Sequence, residues 1–199
     1  MDDFLAQLVP GYREAVEQEQ ASRDAAFIDV THSVCGVDVL PLTLRHLSIL
    51  LLVRSPFVCG GMPTSEDVAK WLWIMSPDFS TDQRKRDKFV RSVRGINFVD
   101  VVVAIREFTN AQLRDVPTGS KGPSAAAITS SVATFVHVIA TEYHWPEADI
   151  MRIPIQRLAQ YLRLINRAGD PKAIFVNPSD HIVADYMRKK NAAKKEARN

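Results

Sequence analysis

Cysteine is scarce in this chain, and what there is stands badly placed for cross-linking. Only Cys35 and Cys59 occur among 199 residues. They form no CxxC pair, so a disulfide framework is not expected, and reduced thiols in a cytoplasm fit best. Long apolar runs are missing too. The longest apolar stretch, Leu47 to Val53, falls far short of the roughly 20 residues that a membrane-spanning helix needs. The acidic start, MDDFLAQLV, lacks the basic-then-apolar order of a signal peptide. The expectation is a soluble cytoplasmic protein with no membrane contact. No internal repeat is visible, and low complexity is confined to the last residues.

Catalytic signatures are equally sparse. No GxSxG elbow marks a serine as a nucleophile. Gly119-Ser120-Lys121-Gly122 shares residue types with a phosphate loop, but GxxxxGK[ST] is not met and no strand precedes it. His137 and His144 flank Glu142, which invites a metal reading. On one helix, however, their separation is about 10 Å along the axis, too far for a single small ion. The spacing is not HExxH either. Cys35 has His32 nearby but no third group to orient it, and Asp78 and Asp82 read as helix caps. No enzyme, metal or cofactor is expected.

What the chain does have is helix grammar. From Tyr143 to Asp170 it reads YHWPEADIMRIPIQRLAQYLRLINRAGD, the stretch with the clearest boundaries. Pro146 suits the first position of a helix, and Glu147 and Asp149 suit the positive end of its dipole. Pro154 either breaks this turn or opens the next helix. From Ile155, the residues Leu158, Ala159, Leu162 and Ile165 follow a buried stripe, with Gln156, Arg157, Gln160, Arg163 and Arg167 largely opposite. Gly169 and Pro171 stop it. Trp145 is expected to plug the corner between two helices.

Upstream, residues 2–24 read as one or two helices broken at Pro10-Gly11. Residues 26–40, AFIDVTHSVCGVDVL, cluster β-branched residues around Cys35-Gly36 and predict a small β-hairpin. Thr43 is a cap for a helix with Leu44, Leu47, Leu50, Leu51 and Val53 inside, and Ser55-Pro56 ends it. Thr64 with Asp67 is a capping box using Asp in place of Glu, opening a helix with Val68, Trp71, Leu72 and Met75. Ser80 with Gln83 is expected to cap the next, which runs to about Leu113 and bends or splits at Gly95 and Asn97. Its first half is basic outside (Arg84, Lys85, Arg86, Lys88, Arg91, Arg94), and its second half is apolar and central. Residues 116–123, VPTGSKGP, form a candidate flexible connector, and Pro123 or Ser124 starts the next helix. Residues 173–178 are expected to be extended, before a last helix with Ile182, Val183, Tyr186 and Met187.

The whole reads as a mainly α-helical single domain over residues 1–187, a helical bundle with a small N-terminal β-hairpin. A basic tail, 188–199, follows. Charge is uneven: residues 1–29 carry seven acidic and two basic side chains, and residues 188–199 carry six basic and one acidic. A nucleic-acid alternative therefore stands open. The helices around Trp145 would form a helix-turn-helix-like pair presenting Arg157 and Arg163, with Lys194 and Lys195 on phosphates. Against it, Pro154 sits where a recognition helix would begin, and any bundle helix needs a polar outer face.

Two blocks of the chain resemble tail assembly chaperones of tailed bacteriophages. One is CGVDVLPLTLRHLSILLLVRSPFVCGGMPTSEDVAKWLW, a hairpin leading into a Leu-rich helix, an SPF break and a PTSEDV helix start. The other is HWPEADIMRIPIQRLAQYLRLINRAGD, in which an aromatic turn precedes an I-x-x-I-P step. Together they cover about a third of the chain. The resemblance implies a non-enzymatic protein of the host cytoplasm that binds the tape-measure protein, and in some cases the tail-tube protein, before polymerisation. It carries over no site motif. Trp71, Trp73 and Trp145 are the candidate anchors because aromatics often dominate interfaces; core packing is the competing role for each. A structural virion component is the third reading.

Overall fold

Short polar residues before apolar-periodic stretches set the helix starts in the computed structural model, which describes residues 6–28, 30–114, 130–169, 183, 186–188 and 190. Helices dominate it, with one small antiparallel sheet. The expected connector at 116–123, the helix start at Pro123 or Ser124, the extended stretch at 173–178, and Lys194 and Lys195 lie outside the described residues. Two compact units divide the chain: residues 29–165 form one, and residues 1–28 with 166–199 the other.

In the unit that holds the N-terminus, residues 6–8 are helical and the chain then breaks before α1 (Tyr12–Ala25). Gly11 makes the break possible with a φ of 72°, a left-handed conformation that costs glycine little. The acidic side chains Glu14 and Glu17 of α1 are exposed.

In the 29–165 unit, strands β1 (His32–Val34) and β2 (Val37–Val39) pair in register His32–Val39, Ser33–Asp38 and Val34–Val37. The hairpin is therefore shorter than the 26–40 stretch expected, because Ala26 to Ile28 form turns at the end of α1 instead. Cys35 and Gly36 make the turn with φ of 49° and 80°. Two positive φ values in a two-residue loop match the right-handed twist of the strands. Alternation does the rest: Val34 and Val39 are buried while Ser33 and Asp38 face out.

Seven helices follow α1 in this described core: α2 (Leu44–Leu52), α3 (Pro56–Cys59), α4 (Ser65–Met75), α5 (Gln83–Val93), α6 (Phe98–Leu113), α7 (Ser131–Tyr143) and α8 (Glu147–Ile150). Next, α9 (Ile155–Gly169) runs on past Ile165. Beyond it the described residues 183, 186–188 and 190 are also helical, where a final helix with Val183, Tyr186 and Met187 is expected. Thr43 and Thr64 cap α2 and α4 as expected, each in a reciprocal capping box. Ser80 does not cap α5. Asp82 does, its carboxylate accepting from the Arg84 and Lys85 N–H groups at 2.8 and 3.5 Å. Asn97 caps α6 and splits it from α5, so the long helix expected to Leu113 is two. Pro146 precedes α8 as its cap rather than starting it. Pro154 opens α9, its carbonyl accepting from the Arg157 and Leu158 N–H groups.

The segment after the hairpin, residues 40–45, ties the core together. The Leu40 N–H donates to the Met75 carbonyl at 2.8 Å, at the end of α4. The Arg45 N–H donates to Met151 O at 3.0 Å, and the Ile155 N–H donates back to Leu42 O at 2.8 Å. Buried Gln112 of α6 accepts the Leu42 N–H at 3.1 Å. The two bonds at Leu42, which is fully buried, satisfy backbone groups that would otherwise be stranded in the core. Around this seam pack Leu42, Leu44, Leu50, Trp71, Leu72, Met75, Ile105, Ile139, Ile150, Ile155 and Leu158, all nearly inaccessible. Leu51 and Val53, expected inside, are exposed. On α2 Leu44 and Leu50 are buried in the core, and Leu47 and Ile49 pack half-buried against it.

Candidate partner-binding groove

Three helices leave an open groove of about 420 Å³ between them. Its first wall is α4, through Ser65, Glu66, Ala69, Lys70 and Trp73. These recur at helical spacing and so share one face. The second wall is α5, through Arg86, Asp87, Val90, Val93 and Arg94. Ile96, Phe98 and Val101 close the end where α5 turns into α6. The α4 wall is held by the Thr64–Asp67 box: the Asp67 carboxylate accepts from the Thr64 N–H at 2.9 Å and from its hydroxyl at 2.7 Å. These bonds to Thr64 lower the Asp67 pKa, and Lys70 adds to the effect.

The floor is apolar and the rim charged. Val68 and Val101 are buried beneath, Val90 and Val93 are half-buried, and Phe98 is 41% exposed. Ala69 is small enough to leave the middle of the α4 wall open. On the rim, Lys70 pairs with Glu66 at 2.8 Å, and Arg86 approaches Asp87 at 3.7 Å. Exposed pairs of this kind stabilise the fold little, but they rim an apolar trough with polar groups, the usual layout of an interface.

The three tryptophans have three different settings. Trp71 is 1% exposed, set edge-on to Phe57 and Phe108 at centroid distances of 6.2 and 5.7 Å. It is a core residue. Trp73 lines the groove with only 5% of its surface accessible, braced by Phe79 at 5.9 Å and Phe89 at 5.2 Å. Trp145 is half-buried at the corner between α7 and α8, as expected of a plug. It stacks on Tyr143 at 5.0 Å and meets Tyr161 of α9 edge-on at 5.3 Å. Trp145 is not among the groove's lining residues, so the candidate anchors do not converge on one surface.

Arg157 and Arg163 sit half-buried on α9, and each has an interaction partner. Neighbouring Gln156 is committed to structure, donating to the Ala111 carbonyl at 3.0 Å. His137 and His144 are exposed. Among the described residues no group of three His, Cys, Asp or Glu side chains is placed to hold a metal ion, and no helix is long and apolar enough to cross a membrane.

Sequence reasoning missed most of the groove. Val90 and Val93 belong to a helix read mainly for its basic exterior, and Ala69 and Lys70 carry no signal of their own. The one usable clue was the apolar trio Phe89, Val90 and Val93 within an otherwise charged helix. No protein-family model, curated protein or solved structure matches the chain.

Proposed function

We propose that the protein is a non-enzymatic binding protein whose α4–α5–α6 groove covers the apolar face of a helix in a partner. The groove itself carries this reading: an apolar floor, a charged rim and an open top suit helix-in-groove recognition. A helix is about 10–12 Å across with its side chains, so the groove seats one face of it and not the whole. Taken with the sequence resemblance, the reading becomes a tail assembly chaperone in a phage-infected cell. Its partner is then the tape-measure protein, whose apolar helices need cover until the tail polymerises.

The test is a tagged pull-down from host cells making all the phage proteins, nuclease-treated and washed at moderate salt. The wild type should recover a very long helical tail protein. Ala69→Trp, which fills the groove from its wall, should recover at least tenfold less. Equal recovery by the variant would remove the groove from the mechanism. Recovery of nucleic acid alone, when nuclease is omitted, would remove the chaperone reading. Purified virions should lack the protein; its presence there would make it a structural component.

A further inference from the structure

The groove is unequally charged along its two walls. On α4 the rim charges cancel in the Glu66–Lys70 pair. On the other wall, residues 82–94 carry six basic side chains against two acidic ones. Asp82 is occupied as the cap of α5, and Asp87 lies 3.7 Å from Arg86. Among the described residues no carboxylate lies within ion-pair reach of Arg84, Lys85, Lys88, Arg91 or Arg94. Helical spacing puts Arg84, Arg91 and Arg94 on one side of α5 with Asp87; Arg94 and Asp87 line the groove, and Arg84 and Arg91 stand beside them on the outer side. Arg91 is steadied there by its Nε donating to the Asp87 carbonyl at 3.1 Å. The outer lip of an apolar trough thus carries Arg84, Arg91 and Arg94 without a carboxylate partner among the described residues, while Asp87 in the same row is turned to Arg86.

We infer that the segment this groove takes is an acidic amphipathic protein helix, its apolar face on Val68, Val90, Val93 and Val101 and its carboxylates along the α5 lip. The inference rests on the groove reading above and adds the partner's charge. The apolar floor selects a protein helix over a nucleic acid, whose phosphates would meet the arginines but leave the trough empty. Charges on a rim act mainly on encounter rate and on discrimination between partners. They also act within about one Debye length, roughly 8 Å at physiological salt.

The experiment uses the full chain and three helical peptides with one shared apolar face, flanked by Glu, Gln or Lys, followed by fluorescence anisotropy. At low salt the Glu peptide should bind at least tenfold tighter than the Lys peptide, and added salt should narrow the gap. The double variant Arg91→Glu/Arg94→Glu should reverse the order of the Glu and Lys peptides. Equal affinity for all three overturns the charge inference and leaves the groove reading standing. No binding of the Gln peptide, or binding that Ala69→Trp does not weaken, overturns the groove reading itself. A single-stranded oligonucleotide that binds tighter than the Glu peptide, and is lost in the double variant, overturns the inference in favour of nucleic acid.

Discussion

His46 stands at the third position of α2 and is 8% exposed, so its imidazole is a cap and a core group at once. Its Nδ1 accepts the Thr43 N–H at 3.4 Å, and Thr43 Oγ1 accepts the His46 N–H at 3.2 Å. Burial lowers the His46 pKa from its ordinary 6.5; a hydrogen bond to the Pro41 backbone opposes this, and the charge of Arg45 adds to it. Between the lowered value and 6.5 the unfolded chain binds a proton that the folded chain does not. The contribution of His46 to stability is therefore complete above 6.5 and declines as the pH falls below it. One such proton gives a slope no steeper than about 1.4 kcal/mol per pH unit. Urea unfolding of the wild type across mildly acidic pH should show this loss. His46→Gln keeps an acceptor at the capping-box position and does not titrate there, so its curve should be flatter. Parallel curves would mean that His46 takes up no proton on unfolding.

Elements were legible where one local rule acted alone. Thr43 stands alone before an apolar-periodic run, Thr64 has Asp67 three residues on to complete a box that neighbouring Ser65 lacks, and the structure uses both. Where two rules competed, the reading slipped: Ser80 and Asp82 both suit a cap, and the carboxylate, the stronger acceptor for two N–H groups, prevails. The hairpin shows the same limit. Its turn was readable from Cys35-Gly36, but its ends were not, because Phe27 and Ile28 fit a strand pattern that the end of α1 overrides. That turn depends on backbone conformation more than on space, since a Cβ at Gly36 would meet nothing within 4 Å. With φ at 80°, Gly36→Val should therefore lower stability by about 1–2 kcal/mol from conformation alone. Cys35→Asn, which tolerates the left-handed φ of 49°, should be neutral or slightly stabilising. Thermal unfolding of the two variants checks both, and an equal loss in each would show that side-chain packing governs the turn.

At the scale of the molecule, long-range closure decided what the sequence could not reveal. Gln112 and Leu42 are 70 residues apart yet share a buried hydrogen bond. The groove needs walls from α4 and α5 and an end from α6, and no single-helix pattern encodes that meeting. The mainly helical class and the capped starts were local and so readable; the seam at residues 40–45 and the groove were not. The same seam bears on which part of the chain can stand alone. Every residue of the fully packed cluster falls between Val34 and Leu162, inside or at the end of the 29–165 unit. All three tryptophans lie within it as well, so their fluorescence reports on that core. A fragment of residues 29–169, which keeps α9 whole, should unfold in one cooperative transition with a tryptophan signal like that of the full chain. It should also bind the Gln-flanked peptide within about threefold of the full chain, a difference of under 1 kcal/mol. A broad transition with strong dye binding would instead mean that the core needs the remaining segments to pack, because apolar burial within 29–165 then fails to offset the entropy of ordering it.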